Sequence, residues 1–299
     1  MTPLLIVEGL SKTYGGPNAA RLAVDDLSFC VHPGEIVGLI GPNGAGKTTT
    51  LSMLAGITRP TAGTARFSQD LIARRQGLVC VGFSPQVPAF HPFFSAREEL
   101  RRWGALAGVP VKELAERVHE ALSRVDLADR AMDGLNTFSR GMLQRVSLAQ
   151  ALLHQPSVLL LDEPTSSLDP VAHAKTLNIL QEERHAGRSI LVSSHNLTEV
   201  SNVCDRVLLV KSGRIVEALP IRSSTELCCI DISCAQVPPK ILRLVDRATP
   251  TADGFRLTLH ISSKRAVLAA LTDDMQIELR SVSEARTDLY EAYRRHFDD

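Results

Sequence analysis

Short apolar runs, each ending on a polar or glycine-rich segment, set the rhythm of this chain. Ile36-Val37-Gly38-Leu39-Ile40, Val158-Leu159-Leu160-Leu161 and Ser189-Ile190-Leu191-Val192-Ser193 lack the alternation of a strand wetted on one face. Runs of this length and composition predict strands of a parallel sheet covered on both sides. Residues 78 to 83 predict another. Between the runs, residues 49–54, the long 3.6-residue pattern from Ser139 to His154, and residues 171–186 predict helices, and strands alternating with helices predict an α/β fold. Residues 4–8 and 22–31 predict a strand pair around a Gly-Gly-Pro-Asn turn at 15–18, and residues 207–211 and 214–217 a hairpin around Ser212-Gly213.

Two departures from this rhythm divide the chain. Residues 96–107 and 111–125 have helical periodicity with Pro110 between them, and predict a helical insertion over about 88–155. Phe83, Phe90, Phe93, Phe94 and Trp103 crowd its entrance, in a protein that is only 4% aromatic. They suit either a binding groove or the insertion's own core. Residues 220–227 predict a linker that ends a domain spanning 1–219. Beyond it the pattern predicts a small α+β domain over 228–299: strands at 228–233, 255–261 and 276–281, helices at 239–247, 263–271 and 283–296.

Composition narrows the possibilities. Of 299 residues 44% are hydrophobic and 22% charged, which predicts a globular protein with a sizeable core. Thirty-three basic residues balance thirty-three acidic ones, so neither a broad nucleic-acid footprint nor a polybasic membrane anchor is expected. No apolar window approaches the eighteen or so residues of a membrane span, and the N-terminus lacks the basic start and apolar core of a signal peptide. Cys30, Cys80, Cys204, Cys228, Cys229 and Cys234 show neither disulfide nor zinc spacing, which predicts free thiols in a reducing cytosol.

The chemistry starts after the first buried run. Gly41-Pro42-Asn43-Gly44-Ala45-Gly46-Lys47-Thr48, followed by Thr49, matches the phosphate-binding pattern G-x-x-x-x-G-K-[ST] between a strand and a helix. Glycines let the backbone wrap so that successive N–H groups and the positive end of the helix face one phosphate. Lys47 would then reach the β and γ oxygens, and Thr48 a magnesium ion bridging them. Asp162 and Glu163 close the second buried run. There Asp162 could face the magnesium and Glu163 act as general base on the attacking water, whereas a structural reading makes the pair a cap for the next helix. His195 and Gln86 also sit at predicted strand ends, where ligands of parallel sheets gather, so both are expected beside the loop. Tyr14 could stack on a purine or simply pack in its hairpin.

Taken in order, Tyr14, Gly41 to Thr48, Gln86, Ser139-Arg140-Gly141-Met142, Leu160-Leu161-Asp162-Glu163-Pro164, Ser167-Leu168-Asp169 and His195 resemble the ATP-binding subunit of an ABC transporter over residues 4 to about 218. The resemblance implies a P-loop NTPase core with an antiparallel β subdomain and a helical insertion, and ATP with Mg2+ as ligands. It implies Tyr14 on adenine, Gln86 as the Q-loop glutamine, Asp169 in the D-loop and His195 as the switch histidine. Ser139 and Gly141 resemble the signature that completes the site of a second copy, in a homodimer or heterodimer. It further implies a separate transmembrane permease, and a cytoplasmic protein peripheral to the inner face of the cell membrane. The signature departs from the common Leu-Ser-Gly-Gly-Gln. Its Ser-x-Gly-Met form, continued by Leu143-Gln144-Arg145, and the tail Asp288 to Tyr293 are similar to exporter subunits of the ABC-2 type. Export is therefore expected ahead of import, and ahead of a soluble ABC ATPase that acts on nucleic acid or ribosomes.

Overall fold

The structure, a computed structural model, describes residues 2–15, 20–68, 81–221, 227–272, 277–284 and 289–297. It separates into two units, Met1–Leu219 with Tyr290–Asp299, and Pro220–Leu289.

In the first unit β1 (Leu5–Tyr14) and β2 (Arg21–Val31) pair antiparallel. Leu5, Val7, Leu10, Val24, Leu27 and Val31 all point inward and are buried. A one-residue slip would turn that whole set to solvent, so the apolar pattern holds the register. Every residue of β3 (Ile36–Ile40) is buried, and α1 (Lys47–Leu54) follows it through the glycine-rich loop. β4 (Ala62–Phe67) then adds to the free edge of β1. The sequence pattern predicts a turn at 59–63 and no strand after it, because β4 is largely exposed and carries no apolar alternation.

The remaining elements of this unit are β5 (Val81–Ser84), α2 (Ala96–Leu106), α3 (Val111–Arg124), α4 (Arg140–Leu152), β6 (Val158–Asp162), α5 (Pro170–His185), β7 (Ser189–Ser194), α6 (Leu197–Val203), β8 (Arg206–Lys211) and β9 (Arg214–Pro220). Residues 78–80 of the strand expected at 78–83 lie outside the described residues. The sheet runs β5-β6-β7-β3-β8-β9, with β5 through β8 parallel. Because β3, β5, β6 and β7 all run the same way, the segments after them open on one edge. A single core joins Leu5, Leu10 and Leu27 of the antiparallel sheet to Leu39, Leu160, Leu191 and Leu208 of the parallel one and to Leu51 and Leu54 of α1.

α2 starts with a capping box. The Ser95 hydroxyl accepts from Glu98 N at 3.2 Å, and Glu98 Oε2 accepts from Ser95 N at 2.9 Å. Although it lies in the predicted insertion, α4 packs on β5, where Ser147 and Ser84 share a buried 2.8 Å hydrogen bond.

The second unit contains β10 (Leu227–Ser233), α7 (Pro239–Leu242), β11 (Arg247–Thr251), β12 (Gly254–His260), α8 (Lys264–Thr272) and β13 (Glu278–Glu284), with the antiparallel order β11-β12-β10-β13. Ile230, Ile232, Leu257, Leu259 and Val267 are buried at its core. The helix expected at 239–247 is corrected to a single turn. From Arg247 the chain forms β11, an exposed edge strand that tolerates Pro250 because an edge leaves N–H groups unused.

The expected domain 228–299 is also divided differently. After β13, α9 (Leu289–Phe297) replaces the helix expected at 283–296, and from Tyr290 onward it belongs to the first unit. There the Tyr290 and Thr198 hydroxyls are 2.5 Å apart, Lys211 Nζ donates to His296 O at 2.6 Å, and His296 Nε2 lies 2.7 Å from Glu217 Oε2. These polar contacts were unreadable in sequence, since their partners are 79 to 92 positions apart.

Candidate functional site

The glycine-rich loop leaves β3 and enters α1 through Gly46, whose φ of 105° an L side chain rarely adopts. A Cβ there would also lie 2.5 Å from Ala23 O, so the backbone can pass only because none exists. Lys47 folds back over the loop, donating to Gly41 O at 2.7 Å and Pro42 O at 3.2 Å, and is only 6% exposed. Burial lowers its pKa, and the carboxylates of Glu163 and Asp162 oppose that shift.

Glu163 is the meeting point of the predicted groups. Its Oε2 lies 3.1 Å from His195 Nδ1 and accepts from Gln86 Nε2 at 3.3 Å, and Oε1 is 4.0 Å from Lys47 Nζ. Glu163 is buried yet has a φ of 48°, a left-handed backbone held by its N–H donating to Ser193 Oγ at 2.9 Å. Non-glycine residues are found so where the surroundings over-determine them, and such sites cluster at catalytic centres.

One residue earlier, Asp162 is 1% exposed. Its Oδ1 accepts from the Ser193 hydroxyl at 2.5 Å, while the buried Oδ2 has no hydrogen-bond partner. A buried carboxylate oxygen left bare is costly unless a cation or a water meets it. Thr48 and Gln86, which line the cavity with the neighbouring Glu163, supply further hard oxygen donors; Asp162 itself is not among the described residues of that lining. This set fits Mg2+, which takes one or two protein oxygens and fills its octahedron with phosphate and water.

The cavity has a volume of about 490 Å³ and lies over the loop from Asn43 to Thr49, bounded by Tyr14, Gln86 and Glu163. Lys12 Nζ sits 5.1 Å from the centroid of the Tyr14 ring. Arg21 and Ala23 of β2 complete the wall. Sequence reasoning missed both, since only their pairing opposite β1 brings them there. It missed Ser193 too, which holds Asp162 and Glu163 together.

A family model described as ABC transporter matches residues 24–166. An uncharacterized ABC transporter ATP-binding protein of Bacillus subtilis, YxlF, is 41% identical over 213 residues, 71% of this chain and 69% of that one. This chain belongs to the ABC transporter family. The Nod factor export ATP-binding protein I of Cupriavidus metallidurans is 36% identical over 91% of this chain and 90% of its own length. A solved ATP-binding subunit of an ABC transporter superposes with a TM-score of 0.65 at 30% identity, over 73% of this chain and 90% of that one. As an ABC ATP-binding subunit, the chain binds ATP and hydrolyses it to drive transport.

The other ABC motifs lie away from the cavity wall. The Ser139 hydroxyl caps α4 by accepting from Met142 N at 3.2 Å, and Asp169 caps α5, accepting from Val171 N and Ala172 N at 3.0 Å each. The Ala172 N–H is the main reason the Asp169 carboxyl is held below its ordinary pKa. Ser139, Gly141 and Asp169 are absent from the described residues that line the cavity. The aromatic cluster splits. Phe83 packs on the core, Phe94 is half-buried with the Arg102 guanidinium 4.4 Å from its centroid, and Phe93 is 83% exposed.

Proposed function

We propose that this chain is the motor of an exporter: ATP and Mg2+ bind over Gly41–Thr49, two such chains close head to tail around two nucleotides, and the closure drives a separate transmembrane permease. The observation that carries this reading is the convergence of Gln86, His195 and Lys47 on Glu163. These residues are far apart in sequence, yet they surround one carboxylate at the wall of the phosphate loop's cavity.

In this reading Tyr14 stacks on adenine, the loop N–H groups hold the phosphates, and Lys47 exchanges its contacts to Gly41 O and Pro42 O for β and γ oxygens. Thr48, Asp162 and Gln86 would hold Mg2+, which when bound neutralises charge on the phosphate oxygens. Glu163 accepts a proton from a water whose oxygen bonds to the γ phosphorus as the bond to the ADP oxygen breaks, releasing ADP and inorganic phosphate. His195 donates to Glu163 Oε2 and orients it. Ser139, Gly141 and the D-loop around Asp169 act on the nucleotide of the second copy.

Export is supported by the Ser-x-Gly-Met signature and by the name of the Cupriavidus relative. No described helix is long and apolar enough to cross a membrane, so in this reading the permease holds the chain at the inner face of the membrane. The balanced charge gives a nucleic-acid role no support.

Glu163→Gln tests the core of the proposal. ATP binding is expected to survive while hydrolysis falls on the order of 10²–10⁴-fold. With ATP and Mg2+ this variant is expected to sediment as a dimer, and without nucleotide largely as a monomer. Hydrolysis near the parent rate would remove Glu163 as the base, and identical sedimentation in both states would count against closure by ATP.

A further inference from the structure

We infer that Arg21 is a second cation of the nucleotide site, binding the phosphate chain from the outer side of the cavity while Lys47 holds it from the inner side. The inference rests on the reading of that cavity as the ATP site, and goes beyond the motifs that define it.

Arg21 opens β2 directly opposite Tyr14 in the β1–β2 register. It therefore starts at the mouth of the cavity, beside the ring proposed to stack on the base, and it lines the cavity itself. Its side chain runs toward the phosphate loop, placing Nη2 3.7 Å from the point where a Cβ on Gly44 would be. Gly44 has none and a φ of 81°, so the loop there offers open backbone next to the guanidinium.

Arg21 is exposed and no ion pair to it occurs among the described residues. Two carboxylates on or just after its strand face other arginines: Asp25 pairs with Arg214 at 2.6 Å, and Glu35 with Arg206 at 2.9 Å. An unpaired guanidinium over a phosphate-binding backbone presents a planar fork of donors that matches phosphate oxygens. Lys47 is buried against the loop and Arg21 is exposed, and both line the cavity, so the two cations can flank one phosphate chain. Recognition of this kind reads phosphates and leaves the base to Tyr14. The expected selectivity is for nucleoside di- and triphosphates over the nucleoside.

The test measures affinities by titration calorimetry in the Glu163→Gln background, so that no ATP is consumed. Arg21→Ala and Arg21→Gln are each expected to weaken ATP and ADP alike by on the order of 10-fold, the effect of losing one charge-assisted contact. Adenosine binding and the melting temperature are expected to hold. Arg21→Lys, which restores the charge without the planar fork, is expected to recover only part of the affinity, and the dependence of affinity on salt is expected to become shallower when the charge is removed. Lys47→Ala serves as the control for the cavity. If Lys47→Ala loses ATP while Arg21→Gln binds it like the parent, the site stands and the role of Arg21 is overturned. If ATP does not bind the parent at all, both readings fall. A loss for adenosine as large as for ATP would also overturn the role, since it would show damage to the cavity wall and not a phosphate contact.

Discussion

Lys47 carries its ammonium where charge is disfavoured, and that makes its titration a probe of the site. Burial holds its pKa below the ordinary lysine value of 10.5, against the pull of Glu163 and Asp162. As pH rises through the lowered pKa, the nucleotide-free protein loses a charge that the phosphates need. ATP must then bring the proton back, so binding is expected to take up protons, and to weaken, on the alkaline side but below 10.5. Calorimetry in two buffers of different ionisation enthalpy measures this uptake directly. If uptake is zero at every alkaline pH, Lys47 is not the titrating contact. The same scale holds the other unusual feature of the centre, the left-handed backbone of Glu163, which Ser193 pins through its N–H and which aims the carboxylate at Gln86 and His195.

Among the elements, the start of α4 caps its own helix and, in the proposed pair, also faces the partner's nucleotide. Ser139 caps the helix within its own chain, and removing that hydroxyl is expected to lower stability by about 1 kcal/mol. Gly141 approaches the D-loop so closely that an added Cβ would lie 2.8 Å from Ser167 O. In the proposed head-to-tail pair these same groups serve the partner's nucleotide, which separates the two roles experimentally. Lys47→Ala and Gly141→Ala are each expected to be nearly inactive alone. An equimolar mixture is expected to regain a measurable share of the ATPase rate, because a mixed pair has one site with an intact loop facing an intact signature. A mixture as inactive as its parts would place signature and loop in the same chain's site.

For the molecule as a whole, the most exposed phenylalanine of the aromatic cluster is the informative one. Phe93 is 83% exposed, so the reading that made the aromatic cluster a core does not apply to it. Phe93→Ser is expected to change stability by no more than about 0.5 kcal/mol, the range of ordinary surface substitutions. If a permease helix docks there, the same variant loses co-purification with its membrane partner at an unchanged basal ATPase rate. Phe94→Ser provides the contrast, since that ring is packed under Arg102 and its loss is expected to lower the melting temperature. Retained co-purification in both variants would remove the docking surface from this face.

What the sequence determined by itself is local chemistry. The phosphate loop is legible because all its requirements, glycines where φ turns positive and a lysine and threonine at fixed spacing, fall within a few consecutive residues. The buried strands are legible because a run apolar on both faces has few other places to go. Tertiary structure alone decided which distant groups meet. Glu163 finds Gln86 across 77 positions and His195 across 32, Arg21 enters the cavity wall, and α9 returns to the first unit. β4 and β11 are the clearest misses, because an exposed edge strand is made by its neighbour's unpaired N–H and C=O groups and leaves almost no mark on its own side chains.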